Sequence, residues 1–193
     1  KKLMKPAAEL RQGSTYRKNN IPYLILKAER HQSTSGKRQR AAEVKFKTKE
    51  LISGKIQEIT VLATELMDDI ILDRNQMQFL YEIDGEYNFM DQETFEQIAL
   101  STEDLGDAVN FLEEEMIIQV LMYEGTPVGV ELPNTVIREV TYTEPGLKGD
   151  TIGRATKPAT VSTGYTLQVP LFVAIGDKIK IDTRTGEYIE RAN

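Results

Sequence analysis

The sequence predicts an all-β protein built from three consecutive small barrels, with helix confined to short pieces of the middle third. Three observations predict it. Short β-forming runs recur along the 193 residues. Tight-turn dipeptides stand between several of them. Charge divides the chain into three blocks of roughly 60 residues, which suits three small barrels better than one sandwich. In chain order the runs are Tyr23-Leu24-Ile25-Leu26, Ala42 to Phe46, Ile56 to Val61, Met77 to Ile83, Met116 to Tyr123, Thr135 to Tyr142, Leu167 to Val173 and Ile179 to Ile181, each alternating or continuously apolar over a strand's length. Asp84-Gly85 joins the strand through Gln78–Tyr81 to that through Tyr87–Met90, glycine supplying the positive φ that a two-residue hairpin turn needs. Glu124-Gly125 and Thr185-Gly186 read in the same way. Helical pattern is expected at Asp91 to Leu100, with Asp91 capping the first turn, and at Leu105 to Glu114. Boundaries fall near 66–69 and 130–134. Leu132-Pro133-Asn134 serves as the second linker, because Pro133 lacks a ladder donor and biases Leu132 toward extended backbone. The expected domains are 1–67, 68–132 (the acidic one) and 133–193. The short echo between Asp84-Gly85-Glu86-Tyr87 and Thr185-Gly186-Glu187-Tyr188 suggests related hairpins in the second and third blocks.

The net charge of −6 conceals a polarised chain. Residues 1–58 hold 15 basic and 5 acidic side chains, a balance of +10. Residues 59–131 hold Arg74 as their one basic residue against 18 acidic ones, a balance of −17. Residues 132–193 are close to neutral at +1. Charge runs often mark nothing more than solvated faces. A block with Lys37, Arg38, Arg40, Lys45, Lys47 and Lys49 clustered and few acids also has the footprint of a protein that binds a phosphate backbone. The acidic block would be repelled by that polyanion, so it faces solvent or a basic protein, and a nucleoprotein particle is the natural partner.

Composition excludes several chemistries. With no cysteine there is no disulfide framework, thiolate metal site or cysteine nucleophile, and the lone His31 cannot build a multi-histidine metal centre. No metal or cofactor is expected. No run of about 18 apolar residues occurs, and the basic start Lys1-Lys2-Leu3-Met4-Lys5-Pro6 lacks a following apolar core, so no membrane association is expected. The expected compartment is the cytoplasm, with an organellar matrix or stroma left open because position 1 is not Met. Acid pairs such as Asp68-Asp69 and Glu113-Glu114-Glu115 are not placed around a cleft by any motif, and His31 has no Ser or Cys motif beside it, so an enzyme is not expected.

Two loops carry the functional reading. Glu29 to Arg40 holds four cations, Arg30, Lys37, Arg38 and Arg40, in eleven residues around a small, polar middle. It reads as an exposed hairpin tip with Lys37 at the apex, where a long cation has the greatest reach. A solvated loop with incidental charge is the alternative. Pro145 to Gly153 is glycine-rich but fits neither a P-loop nor a dinucleotide fingerprint. Its backbone could approach a phosphate or base closely.

The second loop also carries a family resemblance. Glu144-Pro-Gly-Leu-Lys-Gly-Asp-Thr151, followed by Lys157-Pro-Ala-Thr160, Ser162-Thr-Gly164, Val169-Pro-Leu-Phe-Val173, Ile175-Gly176 and Asp182-Thr-Arg-Thr-Gly-Glu-Tyr188, resembles the C-terminal domain of bacterial elongation factor P. Phe89-Met-Asp91 and Glu93-Thr-Phe-Glu-Gln97 resemble its second domain, and the spacing from Glu9-Leu-Arg-Gln-Gly13 to Ile21-Pro-Tyr23 fits its first. The resemblance implies an SH3-like (KOW-like) barrel followed by two OB-fold barrels, arranged as an L of tRNA size. It implies a monomeric, non-enzymatic translation elongation factor that binds the ribosome between the peptidyl and exit sites and stimulates peptide-bond formation at stalled polyproline motifs. Its implied partners are ribosomal RNA and proteins, peptidyl-tRNA (above all prolyl-tRNA), messenger RNA in the exit site, and an enzyme that modifies the tip.

By the same resemblance Lys37 is the modified residue that reaches the peptidyl-transferase centre, while Ser35, Gly36, Lys37, Arg38 and Arg40 contact tRNA and ribosomal RNA. The family commonly sets its tip in Pro-Gly-Lys-Gly, where this chain has Ser35-Gly36-Lys37-Arg38. Arg38 is therefore the second choice, and a paralogue with an arginine tip is the runner-up identity. Gly149, Asp150 and Thr151 match the loop that the family places against messenger RNA. Two readings from other classes stay open: a general RNA-binding module of three barrels, and a protein-interaction scaffold using the acidic block.

Overall fold

The computed structural model describes residues 3–31, 42–146 and 155–193. Among them, alternation of inward and outward side chains produces 16 strands in three curled antiparallel sheets. The chain is mostly β, as expected. Helix is limited to short turns, and none of the described helices is long and apolar enough to cross a membrane.

The first sheet contains β1 (Leu3–Pro6), β2 (Thr15–Lys18), β3 (Ile21–His31), β4 (Glu43–Glu50), β5 (Ile56–Leu62) and β6 (Leu66–Asp69) in the order β1-β6-β2-β3-β4-β5. Its curled inner face buries Ala7, Leu10, Tyr16, Ile25, Val44, Phe46 and Met67, and each large side chain removed from water contributes roughly 1.5–3 kcal/mol. Tyr16 stacks on Tyr23 with ring centroids 5.1 Å apart, and burial pushes its phenol up to about 12. β6 runs past residue 67 and pairs with both β1 and β2, so the sheet extends to Asp69.

The second sheet contains β7 (Asp73–Ile83), β8 (Glu86–Asp91), β9 (Gln97–Ser101), β10 (Ile117–Tyr123) and β11 (Thr126–Glu131) in the order β11-β10-β7-β8-β9. The third contains β12 (Thr135–Thr143), β13 (Thr156–Val161), β14 (Thr166–Pro170), β15 (Lys178–Asp182) and β16 (Tyr188–Arg191) in the order β14-β13-β12-β15-β16. Two compact units result. The first is Lys1–Arg74 with Leu121–Gly129, where Leu51, Leu72, Leu121 and Val128 form a second small core. The other is Asn75–Val120 with Val130–Asn193. Its main core packs Phe111 among Val136, Val140, Ala159, Val161, Val169, Ile179 and Ile181.

Both expected helices are corrected. Asp91 does cap a turn, its Oδ1 accepting from the Glu93 and Thr94 N–H groups at 2.8 and 3.1 Å, but the turn closes at once. Phe95 takes φ 61 and donates its N–H to Asp91 O, while the Asp91 N–H bonds Glu96 O. Gln97–Ser101 then returns as β9 alongside β8. The spacing of Ile98 and Leu100 was a strand period. The next helix starts three residues earlier than expected, because Ser101 and Asp104 form a capping box. It runs as α1 (Thr102–Leu105) into a 3-10 turn at Gly106–Asn110 and stops before Glu113.

The echoed tetrapeptides are not equivalent turns. Ile83 pairs with Glu86 across a two-residue loop, with Asp84 at φ 52 and Gly85 at φ 82, as a primed turn requires. The other pairs Ile181 with Tyr188 and closes a longer loop by Gly186 N–H to Asp182 O at 2.7 Å.

Candidate nucleic-acid interface

Part of the basic first block lies on one face of the paired strands β3 and β4. On β4, Val44, Phe46 and Thr48 are buried, which turns Lys45 and Lys47 outward on the opposite face. Cross-strand partners share a face, so the register aligns Lys27, Lys47 and Glu58 in one outward row and Glu29, Lys45 and Thr60 in the next. Lys27 directly faces Lys47, a like-charge pair that costs stability unless anions compensate. Part of the compensation is internal. Lys27 Nζ lies 2.6 Å from Glu29, and Lys45 Nζ lies 2.9 Å from Glu58. The lysine beside it holds the Glu29 carboxyl below the usual carboxylate range, and Glu58 raises the Lys45 ammonium. Arg30, counted in sequence among the tip cations, lies in register with buried Val44 and donates its guanidinium to Ala8 O. It braces the sheet. His31 Nε2 lies 3.9 Å from Glu29. Ser35, Gly36, Lys37, Arg38 and Arg40 lie outside the described residues. β3 and β4 are the two arms that lead into that segment.

In the third sheet, Gly149, Asp150 and Thr151 also lie outside the described residues, while the strands on either side of them are tied together. Thr143 Oγ1 donates to Pro158 O at 2.9 Å, and Lys157 Nζ donates to Glu144 O. The motif Asp182 to Tyr188 is bonded to itself and its neighbours. Arg184 donates Nε and Nη2 to the Asp182 carboxylate at 3.2 and 3.0 Å, Thr183 Oγ1 donates to Pro133 O, and Tyr165 Oη donates to Gly186 O. These residues shape a turn.

Two carboxylates at opposite ends of β15, Asp177 and Asp182, set a pH response. Asp177 is held below the ordinary value of 3.8 chiefly by the Ala174 N–H, then by Asn193. Asp182 is held below it chiefly by the Arg184 guanidinium. A depressed folded value means that the stability is present above the unfolded pKa and is lost as pH falls through the folded one. The urea midpoint is expected to drop as the pH falls below the ordinary carboxylate value of 3.8. Asp177→Asn with Asp182→Asn should flatten that dependence, and an unaltered slope in the double variant would assign it to other groups.

Among the described residues, no three His, Asp or Glu side chains come together as a metal site. Three family models match the chain in succession: the elongation factor P KOW-like domain over residues 6–67, the elongation factor P OB domain over 72–130, and the elongation factor P C-terminal domain over 136–191. The chain belongs to the elongation factor P family. An elongation factor P from Fusobacterium nucleatum is 54% identical over 188 residues, covering 97% of this chain and 98% of the relative. One from Bordetella petrii is 46% identical over 190 residues, covering 98% and 100%. A solved structure of translation initiation factor 5A from Methanococcus jannaschii covers 67% of this chain and 96% of its own at 17% identity, with a TM-score of 0.47. Membership of the elongation factor P family makes the chain a translation elongation factor and places its partners in the translation machinery.

Proposed function

We propose that this elongation factor P family member binds the ribosome between the peptidyl and exit sites and speeds peptide-bond formation at consecutive prolines. Lys37, at the tip carried by β3 and β4, steadies the CCA end of peptidyl-tRNA. Ser35, Gly36, Arg38 and Arg40 contact RNA beside it, and Gly149, Asp150 and Thr151 meet messenger RNA. Proline is a slow, rigid nucleophile, so a factor that supplies no reacting group still accelerates transfer by fixing the orientation of the peptidyl ester. The three domains 1–67, 68–132 and 133–193 divide the work by charge. The basic first block meets RNA, and the acidic second block meets basic protein.

The outward row that sets Lys27 against Lys47 carries this reading. Neighbouring ammonium groups on an exposed sheet face gain most from a polyanion that neutralises both. Lys37 is the proposed modification site. The exchange of the family's Pro-Gly-Lys-Gly for Ser35-Gly36-Lys37-Arg38 keeps Arg38 as the second candidate for the tip.

Competition binding tests the proposal. Ribosomes with a filled peptidyl site and an empty exit site are expected to bind selectively over ribosomes with both sites filled and over unrelated RNA at equal salt. Equal affinity for arbitrary RNA would replace the proposal with a general RNA-binding module.

A further inference from the structure

An aromatic ring exposed at the end of the third sheet, and held there by a built network, has no role in the fold described above. Phe172 follows β14 and is 62% exposed, although its neighbours Leu167, Val169 and Val173 are all in the core. Its orientation is fixed from outside. The Arg191 guanidinium carbon lies 5.5 Å from the ring centroid, a cation–π distance. Arg191 in turn lies 3.7 Å from Asp177. The Asp177 carboxylate accepts from the Ala174 N–H at 3.0 Å and from Asn193 Nδ2 at 3.1 Å. Lys157 also acts electrostatically on that carboxylate.

The register gives this ring its place. Thr156, the first residue of β13, pairs with Pro170, the last residue of β14, so Phe172 lies just beyond that end of the sheet. Gly146 is pressed against the same turn, where a Cβ would come within 2.7 Å of Leu171 O. The chain leaving β12 therefore passes beside the residue that precedes Phe172.

We propose that Phe172, braced by Arg191, is a stacking platform for one unpaired base of single-stranded RNA. Every base has a π face, and an aromatic ring beside cations is the usual way a β-barrel holds single strands. Arg191 covers part of the ring and leaves its exposed surface for the base, while its guanidinium attracts the adjoining phosphate. The inference deepens the RNA-contact reading of the third domain and rests on it.

The chain contains no tryptophan, so Phe172→Trp in the full-length protein places a single indole at the platform. Titration with an adenine-rich RNA of about six nucleotides is expected to quench its fluorescence. Phe172→Leu, which keeps an apolar side chain without a π face, is expected to weaken binding of that RNA roughly tenfold while the urea midpoint stays unchanged. Absence of quenching, or wild-type RNA affinity in Phe172→Leu, overturns the proposal. Quenching by RNA-free ribosomal proteins but not by RNA also overturns it, in favour of a protein partner. Selective ribosome binding by the unaltered chain is scored separately. Its loss with quenching retained sinks the ribosomal reading and leaves the platform standing, whereas the reverse pattern sinks the platform alone.

Discussion

Lys37→Ala is expected to abolish the stimulation of peptide-bond formation at consecutive prolines in a reconstituted translation system, with the unfolding midpoint unchanged. The fold should not notice the change, because the hairpin stem is held without Lys37. Val44 and Phe46 anchor β4 in the core, and the β3–β4 register continues out to His31 opposite Glu43. Function should be sensitive, because catalysis by orientation is steep. Displacement of a reacting group by about 1 Å costs on the order of a hundredfold in rate, and each tenfold corresponds to about 1.4 kcal/mol. Lys37→Arg separates charge from reach and chemistry. If positive charge suffices, the arginine variant keeps most of the activity; if a modified lysine is needed, it is as inactive as alanine. Intact mass of the protein from its native source decides whether Lys37 carries an added group. Full relief of proline stalls by Lys37→Ala would remove the tip from the mechanism, and Arg38→Ala would then be the variant to compare.

Arg138→Ala is expected to carry the largest stability penalty, on the order of 2–4 kcal/mol in chemical denaturation. Arg138 is 8% exposed on β12, and its guanidinium gathers partners from the chain that follows α1. Nε and Nη2 donate to Phe111 O, Nη1 donates to Ile137 O at 2.6 Å, and Nη2 also reaches Met116 Sδ at 3.3 Å. Glu113 lies 3.5 Å from Nη1. Burial pulls Arg138 below the usual arginine value, and Glu113 opposes that shift. Truncation would leave the Phe111 carbonyl without these donors beside a core that Phe111 itself enters, and a buried acceptor left unpaired costs more than the bond contributed. Arg138→Lys should recover part of the loss through its single ammonium. Glu113→Gln should cost under about 1 kcal/mol, because that carboxylate is 42% exposed and solvent screens the pair. A loss below about 0.5 kcal/mol for Arg138→Ala would mean that water replaces the guanidinium.

Much of the fold could be read from local pattern. Long runs such as Met77–Ile83 and Thr135–Tyr142 announced β7 and β12 through periodicity, and Asp84-Gly85 announced its hairpin through turn chemistry. Strands that owe their existence to a neighbour were illegible. β1 and β6 have four residues each and exist because they pair with each other. β13 contains Pro158, which donates nothing to the ladder yet is held in register opposite Gln168. The helix misread at Asp91–Leu100 arose from a genuine cap signal, overridden because β8 had an edge for Gln97–Ser101 to complete.

The candidate site divides along the same line. Charge segregation, the resemblance to the family and the choice of Lys37 and of Gly149 to Thr151 as candidates follow from the order of residues alone, since they depend on which groups are present and how far apart they lie in the chain. Tertiary structure decided which charges are free to act. It commits Arg30 to Ala8, Lys45 to Glu58 and Arg138 to Phe111, and it sets Lys27 against Lys47. The reason is physical: the energy of a charged side chain depends on its partners and its exposure to water, and both are created when residues distant in sequence meet in a sheet.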